Sequence, residues 1–424
     1  MSKPIQSQPI QFKPVTSRLI RGLFAGAALL AMVVPASAEP KAEVIHWWTS
    51  GGESAAVKVF AEAYGKAGGT WIDTAVAGGE NARSAAINRV VGGNPPTAMQ
   101  FNTGKQFDDI VAQGLVNDVE TVAARDGWRD FLPKPLLDAV SRDGRIYAIP
   151  VNVHGQNWVF TSTKAFEAAG VKPPQSLDEL VPALDALKAA GITPIGHGGQ
   201  PWQDGMMFNA ILLAKGGQDL YRSIYADKDG EAVRSEAFRA VVDYYGSLRG
   251  YVDPGSPGRH WNDATGMLIS GKAGVQFMGD WAKGEFKAAG LTAGEEFGCF
   301  VAGPDYMIGG DVFVLAKTDD PDQKAAQELL ATTLLSPEAQ VDFNLIKGSV
   351  PVRPDVDTAR FDVCGQTGME RLKDEGRQIG NPEMLSSADL VGSTRDVITE
   401  FWNTPDMTTD DFVEGFVEAL EIAG

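Results

Sequence analysis

The chain has 424 residues, with 37 Lys and Arg against 55 Asp and Glu, a formal net charge of −18. At ~100–200 residues per domain this length predicts two or three domains, and 44% hydrophobic with 22% charged residues excludes disorder for the bulk of the chain. The acidic balance argues against nucleic acid and an anionic membrane surface, which both need clustered Lys and Arg. Four His and two Cys leave little material for a zinc site or an iron–sulfur cluster.

Residues 1–38 hold Lys3, Lys13, Arg18 and Arg21 and no acid, then an apolar run over 22–34 and Ala36-Ser37-Ala38. This is the pattern of a secretory signal peptide cut after Ala38. The run is shorter than the ~20 residues a spanning helix needs; a buried helix is the other reading, but nothing over 1–14 would cap it. No Cys follows the cleavage site, so a soluble, exported product is expected, with no membrane insertion. Export puts Cys299 and Cys364 in an oxidising compartment, where a pair reads as a disulfide. Two free apolar thiols are the alternative.

Residues 43–48 read as a strand and 54–64 as a helix, with Val57, Phe60, Ala61 and Tyr64 at helical spacing and Ser54 as its N-cap. Strands over 71–76 and 97–101 bracket a helix over 82–91, an alternation that predicts a mostly parallel sheet covered by helices. After Pro150 a β-rich run over 151–160 opens a second alternating series. Helices are expected over 176–187, capped by Ser176 with Glu179 completing the box, and over 208–214, 232–248 and 320–335, the last with Pro321 at its first position. Strands are expected over 273–278 and 313–315. No long linker separates the two series, which suggests two α/β lobes joined by several short crossings.

The order of several motifs resembles the family 1 extracellular solute-binding proteins, the periplasmic sugar receptors of ATP-binding-cassette importers. These are Trp47-Trp48-Thr49-Ser50-Gly51-Gly52-Glu53, Tyr147-Ala148-Ile149-Pro150 with His154, Asn157 and Trp158, and Gly271-Lys272-Ala273-Gly274 leading to Gly279-Asp280-Trp281. Asp311-Val312-Phe313-Val314 and the stretch from Ser336-Pro337-Glu338 to Lys347-Gly348-Ser349 complete the set. The glucose/mannose-binding branch is the nearest in pattern. The resemblance implies two α/β lobes, each a sheet flanked by helices, around a hinge: residues 39–150 with 306–334, and 151–305 with 335–424. It implies capture of a monosaccharide and delivery to permease subunits by a monomer, with no cofactor, metal or chemistry on the ligand.

A sugar site pairs indole faces with carboxylates, amides and lysines in a water-poor cleft, beyond the carboxyl ends of strands. Trp47, Trp48 and Asp280-Trp281 stand at such ends. Adjacent strand residues point to opposite faces, so one of Trp47 and Trp48 could be core. The resemblance carries ligand roles onto Glu53, Lys105, Asp311 and Lys347, with Asn102 assisting; the alternatives are a first-turn acid for Glu53 and a surface lysine for Lys105. Trp281 would stack and Asp280 accept, or the two would be an N-cap and a packed indole. Trp202 and Gln203 resemble a cleft-lining segment, and His154 reads more readily as a structural histidine than as a contact. Glucose-binding relatives carry a histidine in the late loop that corresponds to 382–392; here Ser386 or Ser387 would replace it, or the contact is lost. A secreted glycoside hydrolase built on Glu53, Asp280 and Asp311 is the rival reading, and an oligosaccharide or polyol is the rival cargo.

Overall fold

The structure, a computed structural model, describes Gln11 and residues 39–423; the expected signal peptide otherwise lies outside the described residues. In chain order the first strands are β1 (Lys41–His46), β2 (Thr70–Ala75), β3 (Ala98–Asn102), β4 (Val116–Asn117), β5 (Ser141–Arg142), β6 (Arg145–Ile146) and β7 (Ala148–Pro150). Then come β8 (His154–Gly155), β9 (Trp158–Ser162), β10 (Thr193–Ile195), β11 (Ala273–Met278) and β12 (Phe297–Val301). The last are β13 (Tyr306–Gly309), β14 (Asp311–Ala316) and β15 (Gln378–Gly380).

The first sheet runs β2-β1-β3-β14-β4, with β7 also on β14. Its β1–β2 and β1–β3 pairs are parallel, while β14 returns late in the chain and runs antiparallel to β3, β4 and β7. The crossovers are helices α1 (Gly51–Lys66) and α2 (Gly79–Val91), so the parallel sheet read from the sequence is present with one antiparallel strand inserted. A second sheet runs β10-β11-β9-β12, and a third, β15-β13-β8, lies where the chain crosses between them. β5 and β6 form a separate hairpin.

α1 buries Ala56, Val57, Phe60 and Tyr64 on one face, the helical period doing what it predicts. Its N-cap is Ser50, whose hydroxyl accepts from the Glu53 N–H, rather than Ser54. The two glycines between are helical because another chain segment presses on them. A Cβ at Gly52 would lie 2.6 Å from the Gly284 carbonyl carbon, and Glu285 Oε1 accepts from both Ser50 Oγ and Gly52 N–H at 2.7 Å. A carboxylate at a helix N-terminus meets unsatisfied donors and the positive end of the dipole. The helix Leu177–Ala189 is capped by Ser176 as expected, although Glu179 reaches the Gln175 N–H instead of closing the box on Ser176. The helix expected over 208–214 is far longer, Pro201–Tyr225, with Gly217 (φ 78°) interrupting it.

Helix Pro337–Lys347 packs along α1, against the first sheet's core. Helices Ala388–Asn403 and Thr409–Ala423 pack on each other, and the former on Pro201–Tyr225. Phe208, Phe238, Tyr245, Phe412 and Phe416 fill that second core with ring centroids 5.3–6.2 Å apart. Cys299 in β12 and Cys364 at the start of helix Val363–Arg371 are joined by a disulfide. Among the described residues no helix is long and apolar enough to cross a membrane.

Candidate functional site

β13 and β14 are one run of chain that changes sheets at Gly309-Gly310: β13 pairs with β8, placing Gly309 opposite His154, and β14 pairs with β3, placing Asp311 opposite Asn102. His154, Asp311 and Asn102 therefore meet at the crossing. A cavity of about 570 Å³ opens above it, within the ~300–1,000 Å³ usual for small-molecule sites.

Its floor is a buried charge cluster. His154 Nε2 pairs with Asp311 Oδ2 at 3.0 Å and lies 3.1 Å from Asn152 Nδ2, and its Nδ1 pairs with Asp280. Burial would push the imidazole towards neutrality, but the two carboxylates beside it outweigh that cost and raise its pKa from the ordinary histidine value. Asp311 also accepts from Gln100 Nε2 at 2.9 Å and Asn152 Nδ2 at 2.8 Å. Burial alone would raise this carboxyl; the His154 hydrogen bond and charge, with Lys347 and Asn152, instead hold it at about 2. Lys347 at the end of its helix meets Glu53 at 3.2 Å, both side chains nearly enclosed. Its ammonium lies 5.7 Å from the Trp281 ring centre and 5.8 Å from that of Trp48, so the charge is held between indole faces.

The walls are aromatic. Trp281 meets the edge of His154 at 4.9 Å and stands 6.3 Å from Trp202. Trp47 donates its backbone N–H to Gln100 Oε1, and its ring faces the cavity beneath Arg83. On the far side, Asn102 donates to Glu383 at 2.7 Å, and Arg395 joins Glu383 at 3.2 Å and Glu80 at 3.3 Å.

The cavity thus brings together Trp47, Glu53, Asn102, Trp202, Trp281, Asp311 and Lys347. Four expected residues do not line it. Trp48 points to the opposite face from Trp47 and is 1% exposed, packed on Phe313 and Phe343; the pleat sends one of the pair into the core. Lys105 is exposed and its ammonium donates to the Leu385 carbonyl. Gln203 is turned to Gln200 and the Arg259 carbonyl. Asp280 sits behind His154, accepting also from the Gly155 N–H, and so acts through the imidazole. His154 is both things weighed for it: fully partnered, and on the cavity floor.

Sequence reasoning passed over Arg83, Gln156, Glu383 and Arg395, which also line the cavity. In the late loop that lacks the histidine, Ser386 donates to the Tyr225 carbonyl and Ser387 caps its helix; Pro382, Glu383 and Val391 line the cavity, Glu383 with a charged side chain.

Comparison with known proteins agrees with this architecture. Residues 48–341 match the model of the bacterial extracellular solute-binding protein family. The chain is 40% identical to a probable sugar-binding periplasmic protein of Brucella suis over 94% of this chain and 97% of that one. Among solved structures it resembles a chitin oligosaccharide binding protein, with a TM-score of 0.77 at 20% identity over 90% of this chain and 98% of that one. It also resembles a bacterial solute receptor with exclusive preference for β-D-galactopyranose, with a TM-score of 0.76 at 17% identity over 91% and 98%. The fold is the two-lobed, hinged α/β fold of these receptors, and the chain belongs to the bacterial extracellular solute-binding proteins, a family of binders rather than enzymes.

Proposed function

We propose that this protein is the periplasmic receptor of a sugar importer, taking a monosaccharide of the glucose type into the cavity and presenting it to the permease subunits of an ATP-binding-cassette transporter. The observation that carries the reading is the wall of Trp47, Trp202 and Trp281 around the Lys347–Glu53 and His154–Asp311 pairs. Indoles cover the C–H faces of a sugar ring, while ionised groups already held in place give and accept hydrogen bonds with its hydroxyls. Asp311, held ionised, suits an acceptor and not a general acid.

In this reading the segments 39–150 with 306–334 and 151–305 with 335–424 are the two lobes, and they close over the guest about the strands that cross between them. The export signal ends at Ala38, and the receptor works as a monomer. A longer guest, an oligosaccharide, is the second reading, favoured by the cavity's volume and by a fourth indole, Trp261, on its wall.

Calorimetry against glucose, mannose, galactose, xylose and maltose tests both. Saturable binding of a hexose supports the first reading, and binding of maltose alone supports the second. Silence towards all five overturns the sugar assignment. Small-angle scattering checks the closure: no compaction with a tightly bound sugar would refute it.

A further inference from the structure

Among the cations that line the cavity, Lys347 is paired with Glu53, His154 with Asp280 and Asp311, and Arg395 with Glu80 and Glu383. Arg83 is different. It projects from the second turn's edge of α2, half-buried, with its guanidinium 5.8 Å from the Trp47 ring centre. It makes no hydrogen bond or ion pair within the described residues, although Glu80 and Glu383 are near enough to act on its charge. A guanidinium carries five donors in a fixed fork, and burying it without acceptors is costly. Beside it the N-terminal end of α2, which no side chain caps, also faces the cavity. This end of the cavity is therefore rich in donors awaiting acceptors.

Resting on the reading of the cavity as a sugar site, we propose that Arg83 is a specificity-determining ligand contact. It grips a vicinal pair of oxygens on an uncharged sugar, whose ring lies against Trp47. The guest's charge class follows from the surroundings. Arg83 and Arg395 are balanced by Glu80 and Glu383, while the floor sets Glu53, Asp280 and Asp311 against Lys347 and His154. The cavity as a whole leans negative, so a uronate or sugar phosphate would meet net repulsion, whereas hydroxyl oxygens accept from Arg83 at no such cost.

The test uses the full mature protein and the tightest-binding hexose from the panel above, together with that hexose's monodeoxy analogues and D-glucuronate. Arg83→Ala and Arg83→Gln should each weaken the hexose by about 10- to 100-fold, with melting temperatures close to wild type; Gln preserves the answer should Ala fail to fold. One or two adjacent deoxy positions should cost wild type a similar factor yet cost the variants almost nothing. A merely structural arginine would weaken every analogue by the same factor. Equal affinity of wild type and both variants, or a uniform loss across the analogues, overturns the contact, and tighter binding of glucuronate than of the hexose overturns the uncharged-ligand assignment. Absence of any sugar binding by wild type is a different failure: it removes the sugar reading, and this inference with it.

Discussion

Replacing Asp311 by Asn tests the charge cluster at the cavity floor without changing its shape. The carboxyl is held at about 2 where an ordinary aspartate stands at 3.8, a difference worth about 2 kcal/mol of folding free energy. Asn keeps one carbonyl oxygen for three donors, His154, Gln100 and Asn152, so at least one is stranded, at about 1–3 kcal/mol. The variant should therefore lose about 3–5 kcal/mol near neutral pH, the range for breaking a buried ion pair from one side. The sign with pH follows from the lowered pKa. The carboxylate's contribution is complete above the unfolded value of 3.8 and disappears as pH falls through about 2. Urea unfolding of wild type and variant between about pH 7 and pH 2 should show the gap between them shrinking by about 2 kcal/mol across that acid window. A gap that stays constant down to the lowest pH, or a variant as stable as wild type at neutrality, would falsify this account of the floor.

The Lys347–Glu53 pair predicts a cycle: Glu53→Gln leaves a buried ammonium unpaired and should cost about 3–5 kcal/mol, while Lys347→Met in the same chain recovers much of it; additive losses would show that the two are not coupled. Removing the disulfide with Cys299→Ala and Cys364→Ala frees a loop of 65 residues' separation and should cost about 4 kcal/mol on the chain-entropy view, and an unchanged urea midpoint would count against it. Gly104 sits at φ +125°, and a Cβ there would lie 2.4 Å from the Glu383 carbonyl oxygen. Gly104→Ala should therefore lower stability by about 2 kcal/mol or more and weaken sugar binding by displacing Glu383; a variant with wild-type melting and affinity contradicts the close approach.

Much of the fold could be read from the chain because its signals are local. Hydrophobic spacing marked α1, the β-branched run over 43–48 marked β1, the run over 273–278 marked β11, and Asp320-Pro321 marked a helix start that the structure keeps at Pro321–Leu334. Ser54 misled because a Gly-Gly pair ordinarily reads as a turn, whereas here it makes room for Gly284. The same distinction separates the site residues. Trp47, Trp281 and Asp311 stand at strand ends, where position in a parallel or mixed sheet already points to a cleft. Arg83, Glu383 and Arg395 are charged residues on helices, indistinguishable in sequence from a solvated face. Their meeting depends on the start of helix Ala388–Asn403 arriving against α2 from some 300 positions away, which no local pattern encodes. Trp48 shows the converse: a motif marks both indoles, and only the pleat decides which one faces the cavity.

The passage of a single backbone run from β13 into β14 at Gly309-Gly310 puts the His154–Asp311 cluster at the fulcrum of the closure proposed above. In a swing of one half against the other, atoms at the fulcrum travel least. Asp311, 4% exposed, should therefore keep its partners through the proposed closure. Glu80, whose side chain is 73% exposed and which meets Arg395 at 3.3 Å, lies far from that pivot and should make this contact only in the closed arrangement. Damage at the fulcrum should then spoil the first encounter with the guest, while damage at the tip should leave arrival unchanged and hasten escape.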